Sequence, residues 1–578
     1  MINNQYLKIG LLILISLLLV KFIAFKINFM VIDFPRHLKY GEIIWQRKSI
    51  PTTNEFSYTF PDYPFVHASW LSGVIFFPIF QLFGFDGLSI FFIIISLATL
   101  YLFLKNSLRE GDIRLITLIF IIALPVIASR KEIRGEMFTY LFSGLFLTIL
   151  NCWYKTKISS RWLGLLPLCM LLWVNLHLYF IFGFVLIGLF LSDSLRQYLM
   201  NRNKLDLIRM RQLAITLIVC FLFSLVNPNF IKGSLYPLLV FQNYAYEIEE
   251  LRSVFFLDRV GVFPVNTYFK ILYLVFVLSW IYNIWQQKIN QPKIKIFYSI
   301  SVLVQFFIAW ILLKHYAFYS LDKIPIKFIL VLQLILASIF IIFTFKKRQL
   351  KFNSIYFYLS LILSTLAWFA IRNFALFALF SLPIMTANFK NISTWLKRKP
   401  FTGSAYVMYF GLLISLGLLL YLIKPIYWVR FQYSGIGLLP NVNKAAEFFK
   451  ANDLQSPIFN TYEVGAYLTY HLFPKHLVFI DGRPEAYPGE FFTKIYYPIM
   501  NHEEVWLQTE KAYQFNTIFL WRHNPEQWQQ FIISRIKDES WALVYVDEYA
   551  LIMVKRNQAN REIIAKYEYP KDKLKIKV

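Results

Sequence analysis

Charge is scarce in this 578-residue chain: Asp, Glu, Lys and Arg together make up 16% of it, against about a quarter in a soluble globular domain. Hydrophobic residues make up 58% and aromatics 19%, and the mean hydropathy is +0.52. A water-soluble fold cannot hide that much apolar surface, so the chain needs lipid. The same composition excludes a disordered, collagen-like or disulfide-stapled protein. Cysteine is nearly absent: Cys152, Cys169 and Cys220 lie in or beside apolar runs, too few and too apolar in setting for a disulfide framework or a Cys-based metal site. The chain has no Walker-type Gly-rich loop, HExxH, GxSxG or paired metal-binding histidines. That argues against a transport ATPase, a zinc protease and a serine hydrolase.

Acidic residues are scarce in one part only. Residues 425–578 carry 18 Lys and Arg against 17 Asp and Glu, which leaves 41 basic and 16 acidic residues in 1–424. The formal charge of +26 therefore sits in the apolar part. This is a membrane-topology signal, not a nucleic-acid footprint, and no nucleic-acid partner is expected. Apolar runs bounded by charge predict membrane helices near 8–31, 86–104, 115–129, 135–151, 162–175, 178–192, 212–226, 266–285, 296–313, 325–345, 353–371, 374–389 and 404–424. That makes about thirteen spans of roughly 20 residues or fewer. Every second connection, at 105–114, 155–161, 196–211, 288–295, 346–351 and 390–399, is rich in Lys and Arg. The positive-inside bias then puts the N-terminus in the cytoplasm and the C-terminal region outside, with membrane lipid as the surrounding partner. The apolar stretch 68–83 reads as a helix lying on the outer surface. The outer face would carry the loop 33–69, a turn at 130–136, the loop 227–265 and everything after 425.

From about 430 the pattern changes. Strand-like runs at 457–460, 477–481, 517–521, 541–547 and 550–556 alternate with helical ones at 443–452, 464–472, 490–500, 503–511 and 525–537. Such alternation predicts a small α/β domain, 425–556, with a largely parallel sheet, followed by a charged, mobile tail, 557–578. The predicted fold is thus a membrane α-helical bundle, 1–424, with a C-terminal soluble α/β domain. Ligands of such sheets sit beyond the strand C-ends, where Asn460 and the run Asp481-Gly482-Arg483 fall.

Asp33 follows the first span directly, in Asp33-Phe34-Pro35-Arg36-His37. A carboxylate at a membrane surface, partly desolvated by apolar wall, is placed to act as a general base on a hydroxyl; the plain alternative is a helix-end residue facing water. His37 could orient a phosphate or the base. The turn Arg130-Lys131-Glu132-Ile133-Arg134-Gly135-Glu136 brings three cations to the side where the topology rule does not want them. Arg forks bind phosphate oxygens in pairs, so Arg130 and Arg134 are candidates for an anionic lipid headgroup, with Arg372 a third. His177, at an outer turn, is a candidate site residue or a satisfied structural one. Glu247, Glu249 and Glu250 form an acidic run that could bind a divalent cation or simply face solvent; a divalent metal ion is the only cofactor the sequence brings up.

In order along the chain come Asp33, His37-Leu38, Gly41-Glu42, Ile50-Pro51, Phe56-Ser57-Tyr58-Thr59 and His67-Ala68-Ser69-Trp70-Leu71. They are followed by Trp173-Val174-Asn175-Leu176-His177, Asn227-Pro228, Arg372-Asn373-Phe374, Phe459-Asn460, Gly465-Ala466-Tyr467-Leu468 and Val478-Phe479-Ile480-Asp481-Gly482-Arg483. Together these resemble the bacterial multi-spanning proteins of glycosyltransferase superfamily C, which include enzymes like the dolichyl-phosphate-mannose mannosyltransferases. The resemblance covers nearly the whole chain. It implies an inverting glycosyltransferase in the bacterial inner membrane, with a polyprenyl-phosphate-sugar donor and a glycan, lipid or protein acceptor at the outer face. It also implies a catalytic acid in the first outer loop, a position that Asp33 matches, and a cation near the donor phosphate, for which Arg130 and Arg134 stand. His67, Asn54 and Glu136 join Asn460, Asp481 and Arg483 as substrate-site candidates. The chain departs from the family at Asn54, where relatives often carry Asp, and at Ser69, where they often carry Glu. A second carboxylate, if needed, would come from Asp62 or Glu136. Two rivals remain at this stage. One is a transporter of lipid-linked glycans, which needs ionisable residues deep in its spans, whereas Lys21, Lys26 and Asp193 lie near span ends. The other is a non-catalytic envelope scaffold of the same fold.

Overall fold

The structure, a computed structural model, describes residues 4–570 except 240–247, 262, 288, 290, 320–325, 347–352, 399–402, 424–432 and 524–527. Every predicted span overlaps a helix, but the first, expected to run to 31, stops at Ile23, and the helices differ in reach. Among the described residues, seven are long and apolar enough to cross a membrane: Gln5–Ile23, Trp70–Glu110, Glu136–Tyr154, Leu178–Asn201, Lys204–Ser224, Pro264–Trp285 and Pro292–Lys314. An eighth results if Ile371–Asn388 and Lys390–Leu396, bent by 72°, count as one span. The apolar helices Ile113–Ile127, Ser160–Leu176 and Ser354–Phe369 are shorter, and two more apolar helices, Ile326–Lys346 and Gly403–Ile423, run 21 residues each. At 1.5 Å per residue a 15-residue helix reaches about 22 Å, less than the ~30 Å hydrocarbon core. The expected thirteen thus resolve into seven or eight full-length candidates, two further apolar helices of 21 residues and three short ones packed among them. The protein is an integral membrane protein.

Helix α1 (Asn4–Ile23) leads through residues 24–32 into α2 (Phe34–Arg47), and the loop 48–69 leads into α3 (Trp70–Glu110). Inside α3, Gly84 leaves helical geometry at φ +62°, which breaks the helix where the sequence separates 68–83 from 86–104. Helices α4 (Ile113–Ile127), α5 (Glu136–Tyr154), α6 (Leu165–Leu176) and α7 (Ile181–Asn201) follow, then α8 (Lys204–Ser224), α9 (Phe230–Leu239), α10 (Val254–Val260) and α11 (Pro264–Trp285). The basic connections are tied together. Lys155 pairs with Glu110 at 2.5 Å, Arg209 donates to the Tyr154 carbonyl at 2.8 Å, and Arg114 donates to the Leu396 carbonyl. Buried polar side chains lock helices together: Asn106 donates to Thr148 at 2.7 Å and Asn151 to Asn106 at 3.0 Å. In lipid such groups must be satisfied internally.

The C-terminal region holds one four-stranded sheet: β1 (Ile458–Asn460), β2 (Thr517–Trp521), β3 (Trp541–Val546) and β4 (Ala550–Lys555), in spatial order β1-β2-β4-β3. Only β1 and β2 run parallel; β4 is antiparallel to both β2 and β3. The expected largely parallel sheet is therefore mixed, because three residues link β3 to β4 and so short a link allows only a hairpin. The run 477–481 joins no named strand; Val478 makes isolated bridges to Ser57 and Ile458. The tail is not loose up to residue 569. A helix at Arg561–Tyr567 packs Ile563, Ile564 and Tyr567 against the core, with the Tyr567 ring 5.2 Å from Phe448. Residues 571–578 lie outside the described residues.

This α/β unit docks on the first loop. Phe25 and Ile27 bridge to Ser434 and Leu438. The fully buried Phe29 ring meets Phe85 at 5.1 Å and Tyr470 at 4.9 Å, joining the kink of α3 to the helix Tyr462–Leu472.

Candidate active site

Residues 33, 36, 37 and 40 share one face of α2, by helical spacing. That face meets three other pieces: the 130–136 turn, the His177 turn and the 482–485 loop of the C-terminal unit. Between them lies a cavity of about 710 Å³. Its wall includes Asp33, Arg36, His37, His67, Ser69, Arg134, Glu136, His177, Glu250, Arg252, Arg372 and, from the C-terminal unit, Tyr462, Glu463, Gly482 and Glu485. The loop 227–265 closes one side through Tyr236, Phe256, Leu257, Val260 and Phe263. This side is greasy outside as well as in. Val260 is 62% exposed, and α9, which supplies Tyr236, exposes Phe230, Ile231, Leu235, Leu238 and Leu239. In a membrane protein, exposed apolar side chains of this kind face lipid.

Asp33 stands at the N-cap of α2, yet its carboxylate makes no capping hydrogen bond. It faces Arg36 at 3.6 Å and Arg134 at 3.7 Å, both beyond hydrogen-bond length. The other acids of the cluster are engaged. Glu136 pairs with Arg130 at 2.5 Å and accepts from Tyr140 at 2.7 Å. Glu250 pairs with Arg130 at 2.8 Å and Arg134 at 3.3 Å, and Glu132 pairs with Arg134 at 2.7 Å. Burial pushes the Glu250 carboxyl up, but the two arginines outweigh it and hold the group well below the usual carboxylate range. Asp33 is thus the carboxylate of this cluster with lone pairs to spare. Behind it, Gly482 comes so close that a Cβ there would stand 2.6 Å from Asp33 Oδ1; only glycine lets the two chain segments meet.

Cationic capacity is held in reserve. Arg36 Nε, Arg134 Nε and Arg372 Nε are buried and have no hydrogen-bond partner among the described residues. Arg372 lies over the Tyr179 ring at 5.4 Å. Among the described residues it makes no ion pair. His37 and His67 line the cavity with His37 Nδ1 and His67 Nε2 unpartnered. Burial, aided by Arg36 and Arg134, drives His37 well below its ordinary pKa; burial and His37 do the same to His67. Both rings are therefore neutral at neutral pH. His177 Nδ1 sits 2.8 Å from Thr139 Oγ1.

The sequence candidates separate into wall and support. Asp33, His37, His67, Arg134, Glu136, His177 and Arg372 meet at the cavity. Arg130 lies behind it, clasped by Glu136 and Glu250, so it orders the acids and does not face a ligand. Asn54, Asn460, Asp481 and Arg483 are buried off the wall. Arg483, 0% exposed, donates to both Asp481 oxygens, to Tyr40 Oη and to Asn54 Oδ1. Its guanidinium lies 4.8 Å from the Phe65 ring centroid. Asn460 ties the end of β1 to the run 478–481: it accepts from the Phe479 N–H at 2.9 Å and donates to the Ile480 carbonyl at 2.7 Å. These four residues clamp the C-terminal unit together and to the first loop. Asp62 is exposed and off the wall, so it supplies no second carboxylate.

No protein-family profile matches the chain. No curated protein matches it either. Among solved structures it is similar to the oligosaccharyltransferase of Archaeoglobus fulgidus, solved in complex with zinc and sulfate. The TM-score is 0.47 at 12% identity, over 88% of this chain and 68% of that one. At that distance the likeness carries no argument about activity, and the functional conclusion rests on the cavity. A resident metal does not fit what is described. No group of three or more His, Cys, Asp or Glu among the described residues could hold a metal ion, and Glu132, Glu136 and Glu250 are taken up by arginines. Glu247 and the Glu249 side chain lie outside the described residues.

Sequence reasoning missed Arg36, Tyr236, Arg252 and Glu485. Arg36 was within reach, one helical turn from Asp33. Glu485 gave no local signal, because its enclosure comes entirely from tertiary packing.

Proposed function

We infer that the protein is a membrane glycosyltransferase of the superfamily C type. It transfers a sugar from a polyprenyl-phosphate donor to an acceptor hydroxyl, with inversion. The observation that carries this reading is Asp33: a carboxylate free of hydrogen bonds, flanked by two guanidinium groups, in a large cavity with a lipid-facing apolar lip. Asp33 takes the proton of the acceptor hydroxyl. The hydroxyl oxygen bonds to the sugar C1 as the bond from C1 to the phosphate oxygen breaks, and that electron pair leaves with the lipid phosphate. Arg134 and Arg372, with Arg36, meet the growing charge; preorganised charge of this kind is a large catalytic term. The prenyl chain stays in the bilayer beside Val260 and α9. The alternation of basic loops supports placing this site on the outer face of a bacterial inner membrane. A transporter reading gains nothing from Asp193, the ionisable residue buried in α7. It is fully engaged by Tyr154, Arg196, Gln197 and Ser354.

Asp33→Asn keeps the shape and removes the base. Sugar transfer from a radiolabelled polyprenyl-phosphate donor should fall about 10²–10⁴-fold with folding intact. Transfer at the wild-type rate would refute the assignment.

A further inference from the structure

The cations of the cavity wall are one-sided, whereas acids stand on both sides. Arg36, Arg134 and Arg372 all come from the membrane part. The C-terminal unit offers Tyr462, Glu463, Glu485 and Tyr497 and, among the described residues, no cation: its nearby Arg483 turns away into the clamp with Asp481, Tyr40 and Asn54. Glu485 is half-buried on the wall and makes no ion pair among the described residues. Its own backbone N–H is the hydrogen-bond contact it has, and burial, opposed by Arg36, raises its pKa. A carboxyl left this way has hydrogen-bonding capacity that no side chain among the described residues takes up. Nearby, two enclosed ring nitrogens are in the same condition: His37 and His67 are 7% and 6% exposed, and His37 Nδ1 and His67 Nε2 have no partner. Buried polar atoms of this kind are normally satisfied, so unpaired ones at a cavity wall point to a ligand.

Resting on the glycosyl-transfer reading above, we propose that this C-terminal wall is the acceptor subsite, and that it takes a saccharide bearing hydroxyls but no phosphate, sulfate or carboxylate. A sugar hydroxyl both donates and accepts, so it satisfies Glu485 in either protonation state and a neutral imidazole as well. An anionic acceptor meets like charge at Glu485 whenever that carboxyl is ionised, which is costly in an enclosed site. Tyr462 and Tyr497 add the ring surface on which the apolar faces of sugars rest. Gly482, three residues before Glu485, touches Asp33. An acceptor held on this wall therefore has a hydroxyl delivered to the base, while the lipid phosphate stays with the arginines opposite.

The test uses the full-length protein in lipid nanodiscs and three pentasaccharides of equal length: maltopentaose (neutral), a chitosan pentamer (cationic) and pentagalacturonate (anionic). Decaprenyl phosphate binding is measured in parallel. Maltopentaose and the chitosan pentamer should bind, and pentagalacturonate should bind at least about tenfold more weakly. Glu485→Ala should weaken maltopentaose about tenfold. The isosteric Glu485→Gln should instead narrow the gap between neutral and anionic sugars, and both variants should bind decaprenyl phosphate as the wild type does. Equal or tighter binding of pentagalacturonate, unchanged maltopentaose binding in Glu485→Ala, or no binding of any of the three overturns the acceptor subsite. Decaprenyl phosphate binding that ignores Arg134→Gln overturns the donor reading instead, and the sugar titrations show which of the two has failed.

Discussion

Replacing Arg483 with Met should loosen the C-terminal unit from the membrane part without touching the cavity wall. Arg483 and Asp481 are both 0% exposed. The arginine also reaches Tyr40 on α2 and Asn54 on the first loop, so a single side chain joins three segments far apart in sequence. Methionine fills similar volume but leaves the Asp481 carboxylate buried without a counter-charge. Breaking a buried pair from one side costs about 3–5 kcal/mol, because desolvation persists after the attraction is gone. Solvent screening does not reduce this figure, since neither partner touches water. Denaturant unfolding of the purified protein, followed by tryptophan fluorescence, measures the loss. The double variant Arg483→Met with Asp481→Leu removes both charges and should recover most of it. A single variant that loses less than about 1 kcal/mol, within the range of a surface pair, would refute the clamp. So would a double variant no more stable than the single one.

Gly482→Ala places a methyl 2.6 Å from Asp33 Oδ1, so the carboxylate or the loop must move. A shift of about 1 Å at a reacting group can cost about 10²-fold in rate; turnover should fall while donor binding holds, and wild-type turnover would show that Asp33 tolerates displacement. A pH effect follows from the two cavity histidines. Burial lowers the folded-state pKa of His37 and His67, so below the ordinary histidine value of about 6.5 the unfolded chain binds protons that the folded one refuses. Their contribution is therefore complete above that pH and declines as the pH falls below it, by about 1.4 kcal/mol per pH unit for each. His67→Gln should remove one histidine's share of that slope, and identical slopes in the two proteins would contradict the assignment.

The membrane class, the positions of most helices and several residues that line the cavity were legible in the sequence, for a physical reason: each is written in local pattern. Apolar runs mark helices, Lys and Arg mark one set of connections, and Asp33, Arg134 and Arg372 stand at helix ends where the apolar pattern stops. What was not legible depends on contacts between distant segments. Arg483 and Asp481 read as a strand-end ligand site, whereas the structure buries them as a clamp against Tyr40 and Asn54. Arg130 and Arg134 looked equivalent by spacing, and Glu250 pairs with both, yet Glu136 adds a second clasp that holds Arg130 behind the wall while Arg134 stays on it. The hairpin of β3 and β4 was visible as two strands, but its insertion beside β2 was not, because strand order is set by which edges find each other.

The central claim is that the cavity beside Asp33 receives a lipid-borne phosphate. An experimental structure of the full-length protein with decaprenyl phosphate tests it most directly. The account predicts the phosphate against Arg134 and Arg372, with the prenyl chain leaving past Val260 and α9. A phosphate bound elsewhere, with the Asp33 cavity left to water, would contradict it.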